Sequence, residues 1–259
     1  GLLATLSHRA VARVAAAAGH ATAAELTRML YAAGSLAVGP RVLAGYDPRR
    51  IDHLIASATR MSGLRHCRGE YWHVVQCNSD EDRHPVDGSA EDRPAAGGSP
   101  DRSPWVHKVY VSPKPQGLLP VLTVVADVAA GLAAHSFKVG GTAEGVHRPD
   151  KIVAYFGDEA TADAAAAVLD GLLEGRSPQG VPFTGQVGDS GLVSRGLDQG
   201  GTSWRMIVCD LLGRELERAA STCGSPAEIS RTALRAAADS GLDVETFWPT
   251  PLPELARMP

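Results

Sequence analysis

Three short runs of β-type residues, Trp105–Ser112, Ser136–Val139 and Lys151–Phe156, alternate with longer helical patterns at Pro120–His135 and Glu159–Gly175, and this alternation constrains the fold more than any other feature. The fold expected is α+β, with a mixed or antiparallel sheet flanked by helices. Upstream, residues 2–66 read as helices. Leu2–Ala18 and Ala21–Ala33 are alanine-rich with apolar residues at helical spacing, and Asp47 is placed to cap a helix over Pro48–Met61. Glu70–Cys77 (EYWHVVQC) is aromatic and β-branched, and reads as a strand.

From Asn78 to Pro104 nearly all large apolar residues disappear, so the segment cannot repay the entropy of ordering and is expected to be a disordered insertion. It divides the chain into an N-terminal helical layer plus strand at 1–77 and a larger unit at 105–259. Within that unit Gly180–Gly201 reads as a glycine-rich loop region. Ser203–Ala220 and Pro226–Ser240 read as helices, the second capped by Ser225.

At 44% hydrophobic over 259 residues the chain can bury a substantial core. A net charge of -4 provides no broad cationic field, which argues against a non-specific nucleic-acid or membrane-surface binder, so any anion site must be local. The most apolar run, Leu118–Ala134, is shorter than the roughly 20 residues a membrane helix requires, and no signal pattern opens the chain, so it reads as cytoplasmic. Cys67, Cys77, Cys209 and Cys223 show no CxxC spacing and no histidine pair. They read as buried thiols, and no metal or cofactor is expected.

Of the 25 basic residues only four are lysine, Lys108, Lys114, Lys138 and Lys151, all within 44 residues. Where arginine has replaced lysine nearly everywhere, a lysine that persists is a candidate for use as an amine, because lysine can deprotonate and arginine cannot.

Several motifs fail. Gly188-Asp189-Ser190-Gly191 and Ala133-Ala134-His135-Ser136 imitate the serine and histidine motifs of trypsin-like proteases, but a helical pattern fills the interval that would have to be β-barrel. There is no GxxxxGK[ST], no strand-anchored GxGxxG, and neither an HRD nor a DFG triplet.

What remains is a set of cations on strands and loops. Alternation puts Lys108 and Tyr110 on one face of their strand and Val109 and Val111 on the other. Lys138 sits in a second strand before Gly140-Gly141, and Arg148 leads into the KIVAYF strand. Arg195 closes a glycine-rich loop, and Arg205 stands at a helix start. Lysines and forked arginines around glycine loops suit a dianionic phosphate.

The strings HKVYVSPKP, FKV, RPDKIVAYF and SWR resemble the HopA effector-like lyase family, members of which occur as plant-pathogen effectors and beside phosphotransferases in lanthipeptide and thioamitide biosynthesis. More distantly, the pattern is similar to the bacterial phosphothreonine lyases. The similarity spans about Trp105 to Leu212. It implies a lyase domain at 105–259 that eliminates phosphate from phosphoserine or phosphothreonine of a precursor peptide, with a separate kinase as partner and no cofactor. It further implies Lys138 as general base, Lys108, Arg148, Arg195 and Arg205 as phosphate-binding residues, and Tyr155 as a lining residue. Tyr110 stands where the phosphothreonine lyases carry a histidine general acid, which leaves the identity of the acid open. Two alternatives remain: a non-catalytic phosphopeptide-binding or scaffold subunit of a kinase complex, and an effector lyase acting on a host phosphoprotein.

Overall fold

The computed structural model describes residues 1–40, 47–61, 64–69, 71–77, 105–199 and 201–248. The expected insertion at 78–104 lies outside the described residues. In chain order the elements are α1 (Leu2–Ala15), α2 (Ala23–Tyr31), α3 (Pro48–Met61), β1 (Arg65–Arg68) and β2 (Trp72–Gln76), then β3 (Trp105–Val111), α4 (Leu118–Gly131), β4 (Ser136–Gly140) and α5 (Ala143–His147). There follow β5 (Ile152–Phe156), α6 (Glu159–Leu172), β6 (Gly185–Val187), β7 (Val193–Gln199), β8 (Thr202–Ser203), α7 (Trp204–Ala220) and α8 (Pro226–Asp239).

Side-chain caps place several helix starts. The hydroxyl of Thr22 accepts from Glu25 N–H in a capping box with the Glu25 carboxylate, and Asp158, Ser203 and Ser225 accept from Thr161, Met206 and Glu228 N–H.

The strands form one sheet in the order β1-β2-β4-β5-β3-β7-β6, with β8 on β7. Every neighbouring pair is antiparallel, so the fold is α+β with an antiparallel sheet. β2 pairs with β4, Val74 opposite Lys138, and the strand upstream of residue 78 therefore belongs to the same sheet as those downstream.

Helices α3, α4 and α6 seal one face of the sheet. Ile55, Val125, Ala165 and Leu169 pack there with Val109, Val111, Phe137, Val139, Ile152, Ala154 and Phe156. Helices α1, α2, α7 and α8 make a second core around Val11, Leu26, Leu30, Trp204, Leu212 and Phe247. This bundle meets the sheet at its β6 edge, where Leu3 N–H donates to Gln186 Oε1 at 2.9 Å.

The glycine-rich stretch read as loop contains β6 and β7. Seven residues of β7 pair with β3, from Val111↔Val193 to Trp105↔Gln199, and this long-range ladder overrides weak local β preference. Glycine is also required there: a Cβ at Gly196 would lie 2.5 Å from Tyr110 Cε2. The polar run at β1, where the sequence pattern extends helix to residue 66, is held by pairing with β2.

Candidate functional site

Antiparallel register brings residues from five strands into two neighbouring rows. One row reads Val74, Lys138, Val153, Tyr110 and Ser194, and the next reads Ser136, Tyr155, Lys108 and Gly196. Lys108, Tyr110, Lys138 and Tyr155 therefore share the face that α3, α4 and α6 leave uncovered.

Along this face cations and aromatic rings alternate. Lys108 Nζ lies 5.2 Å from the centroid of Tyr155, and Lys138 Nζ lies 5.6 Å from the same ring and 4.5 Å from Trp72. Arg148 Cζ is 5.4 Å from Trp72 and 6.0 Å from Tyr31, and Arg205 Cζ is 4.4 Å from Tyr31. Each positive group meets an electron-rich ring face, which favours a crowd of like charges that would otherwise repel.

Two carboxylates organise the cations. Asp198 of β7 pairs with Lys108 at 2.5 Å. Asp150 accepts two hydrogen bonds from Arg148, Nε at 2.8 Å and Nη2 at 2.9 Å, and one from Arg205 Nη1 at 3.3 Å. This forked pairing uses Nε and Nη2, the Tyr31 side chain also hydrogen-bonds the guanidinium, and the Arg148 side chain keeps 39% of its exposure. Pro149 accounts for the placement of Arg148: the residue before a proline is disfavoured in the helical region, and Arg148 adopts φ -67°, ψ 152° as α5 ends.

Arg205 is different. It is 1% exposed and also donates to the carbonyl oxygens of Pro182, Tyr31 and Ala33 at 3.2, 2.5 and 3.3 Å. Its expected place among the phosphate contacts is thus taken by backbone acceptors, and it anchors Asp150 and the end of α2 from beneath. Arg195 falls on the other face, because β7 turns Ser194, Gly196 and Asp198 towards the cations and residue 195 away. It pairs with Asp163 of α6 and lies 5.3 Å from the Trp248 centroid, so it does not join the cluster.

Protonation follows from burial and neighbours. Burial lowers the Lys138 ammonium to about 8, aided by the charges of Lys108 and Arg148 and opposed by Asp150 and Asp198. Among the described residues it has no hydrogen-bond acceptor or carboxylate in contact. Burial also lowers Lys108, against the pull of Asp198. Burial opposes ionisation of Asp150, yet the Arg148 hydrogen bonds and the charges of Arg205, Arg148 and Lys138 prevail and hold it well below the usual carboxylate range. Tyr110 and Tyr155 are pushed far up by burial, and both pack with Val153 and Val181.

Sequence reasoning did not assign roles to Asp150, Asp198, Trp72 and Tyr31. Asp150 had a signal, two residues beyond Arg148 in RPDK, and Trp72 lay in a recognised strand. Nothing local marks Tyr31, which arrives by packing of α2 on α7. Of the other lysines, Lys114 is exposed and Lys151 is fully buried. Of the four free thiols only Cys209 is buried, and Cys67 is exposed. Ser190 of the protease-like string contacts Asp170 and accepts from Leu192 N–H, as expected of a turn residue. Among the described residues no cluster of three or more His, Cys, Asp or Glu could hold a metal ion, and no helix is long and apolar enough to cross a membrane.

No protein-family description and no curated protein matches this chain. Among solved structures it is similar to an effector protein from Pseudomonas syringae pv. tomato strain DC3000, with a TM-score of 0.54 and 12% identity over 96% of this chain and 99% of that one. A second effector, from Pseudomonas syringae pv. syringae strain 61, is 16% identical over 96% of this chain and 97% of that one, with a TM-score of 0.47. At this identity the likeness to the first is one of fold.

Proposed function

We propose that the protein is a phosphoserine/phosphothreonine lyase that eliminates phosphate from a precursor peptide already phosphorylated by a separate kinase. The observation that carries this reading is Lys138. A nearly buried amine, lowered to about 8, without a carboxylate partner among the described residues and flanked by Lys108 and Arg148, suits a base beside an anion.

In the reaction Lys138 Nζ, as the neutral amine, takes the Cα proton of the phosphorylated residue. The C–H electron pair becomes the Cα=Cβ bond, the Cβ–O bond breaks, and phosphate departs with its oxygen. Arg148 and Lys108 hold the phosphate and balance the charge that grows on it. Asp150 fixes Arg148, and buried Arg205 fixes Asp150. The fully buried Tyr110 phenol is too weak an acid to protonate a good leaving group readily, so it serves as wall and hydrogen-bonding neighbour, with Tyr155 as the ring between the two lysines. Arg195 has no part in this scheme.

The test is to incubate purified protein alone with a synthetic phosphothreonine peptide and follow its mass. Loss of one H3PO4 per site, giving a dehydroamino acid, supports the reading. Binding without mass change would make the protein a phosphopeptide-binding subunit. Conversion of a folded phosphoprotein but of no short peptide would move the substrate class to host signalling proteins.

A further inference from the structure

One lysine singled out by the composition is not used in this chemistry. Lys151 immediately precedes β5 with its side chain fully buried, and its Nζ donates to Pro113 O at 2.8 Å and to Gln179 Oε1 at 2.6 Å. The other end of Gln179 donates from Nε2 to Gly34 O at 2.7 Å and to His147 O at 2.9 Å.

These acceptors border the candidate site. His147 immediately precedes Arg148, and its carbonyl also accepts from Leu36 N–H at 3.0 Å. Gly34 follows the end of α2, which carries the Tyr31 ring against Arg148 and Arg205, and it has φ +85° with the Pro182 ring against it. The amide of Gln179 thus ties the segment that carries Arg148 to the segment that follows α2. Its carbonyl end is held in turn by Lys151, which orients the amide because only oxygen can accept from Nζ.

We infer that Lys151 and Gln179 form a positioning pair that aims Arg148 at the anion, acting through the His147 and Gly34 carbonyls rather than by touching substrate. This rests on the phosphate-binding reading of the site. An amine suits position 151 because two acceptors face it, and a neutral amine still has two N–H donors for them. Burial lowers Lys151 to about 7, so it need not carry a charge to hold the pair.

A double-mutant cycle on the full chain tests this, with calorimetric binding of a non-hydrolysable phosphonate peptide as the probe. Gln179→Leu removes the two donor bonds and the acceptor of Lys151, and should weaken binding about tenfold, whereas in the Arg148→Ala background the same change should cost less than about twofold. Gln179→Glu separates the donor bonds from the Lys151 contact. It keeps an acceptor for Lys151 but turns a carboxylate oxygen on Gly34 O and His147 O, so per folded molecule, counted by the calorimetric stoichiometry, it should lose at least the affinity that Gln179→Leu loses. Equal losses in both backgrounds, or full affinity in Gln179→Glu, overturn the inference while leaving the phosphate site intact. Wild-type protein that does not bind the probe overturns the phosphate reading and this inference together.

Discussion

The two faces of the sheet are made by the same strands and serve opposite ends. Under α3, α4 and α6 lie Val109, Val111, Phe137, Val139, Ile152, Ala154 and Phe156, a dry apolar layer whose members exchange dispersion contacts and little else. One residue away along each strand are Lys108, Tyr110, Lys138, Val153 and Tyr155. There, charge is tolerated because rings and two carboxylates surround it. Strand alternation lets a chain place a charged cluster directly on a rigid layer without exposing either to the other. It also means that a one-residue register slip would exchange the faces entirely.

Four measurements can break or sharpen this contrast. Lys138→Ala should reduce elimination from a phosphothreonine peptide about a thousandfold while leaving the protein folded, because it removes the base and only its contacts with the Trp72 and Tyr155 rings. Mass spectrometry of the peptide reads the result, and near-normal dehydration would remove Lys138 from the chemistry. Asp150→Ala on the cation face should cost about 3–5 kcal/mol in urea unfolding, as much as Phe137→Ala on the apolar face, but by a different route. The first leaves Arg205 buried and unpaired, whereas the second opens a cavity. Only the first should also abolish phosphopeptide binding in the folded fraction.

The third is pH. Below about 8 Lys138 carries its proton and cannot act as base, so kcat/KM should rise about tenfold per pH unit up to that point and then level off. A flat profile from pH 6 to 9 would contradict that assignment. The smallest effect should come from Arg195→Gln. Its ion pair with Asp163 is partly exposed, so stability should fall by less than about 1 kcal/mol and phosphopeptide affinity should stay within about twofold. A large loss of affinity would return Arg195 to the site.

Much of this was legible in the amino-acid sequence, and the boundary of what was legible has a physical cause. Strand alternation places Lys108 and Tyr110 together from local information alone, and the persistence of four lysines among the arginines makes Lys138 one of four candidates, from which only the family resemblance selects it. Two helix starts were readable because Ser225 and Asp47 act on backbone donors a few residues away. Arg195 and Arg205 went astray because their fates depend on partners distant in sequence: the β3–β7 register sends one to α6, and the carbonyls of Pro182, Tyr31 and Ala33 enclose the other. β6 and β7 were hidden for the same reason, since their glycines look like loop until Tyr110 is seen to occupy the space above Gly196.

The hydrogen bond from Arg205 to the carbonyl of Tyr31 closes a separation of 174 residues. Contacts of such length form late, since a long loop must be closed before they return anything. A chain still emerging from the ribosome, or one with its helical bundle undocked, has β3, β4 and β5 close together in sequence but has neither Tyr31 beside Arg148 nor a buried Arg205 behind Asp150. The cluster is therefore a property of the finished molecule alone, and a partly folded copy carries the lysines without the arrangement that could make one of them a base.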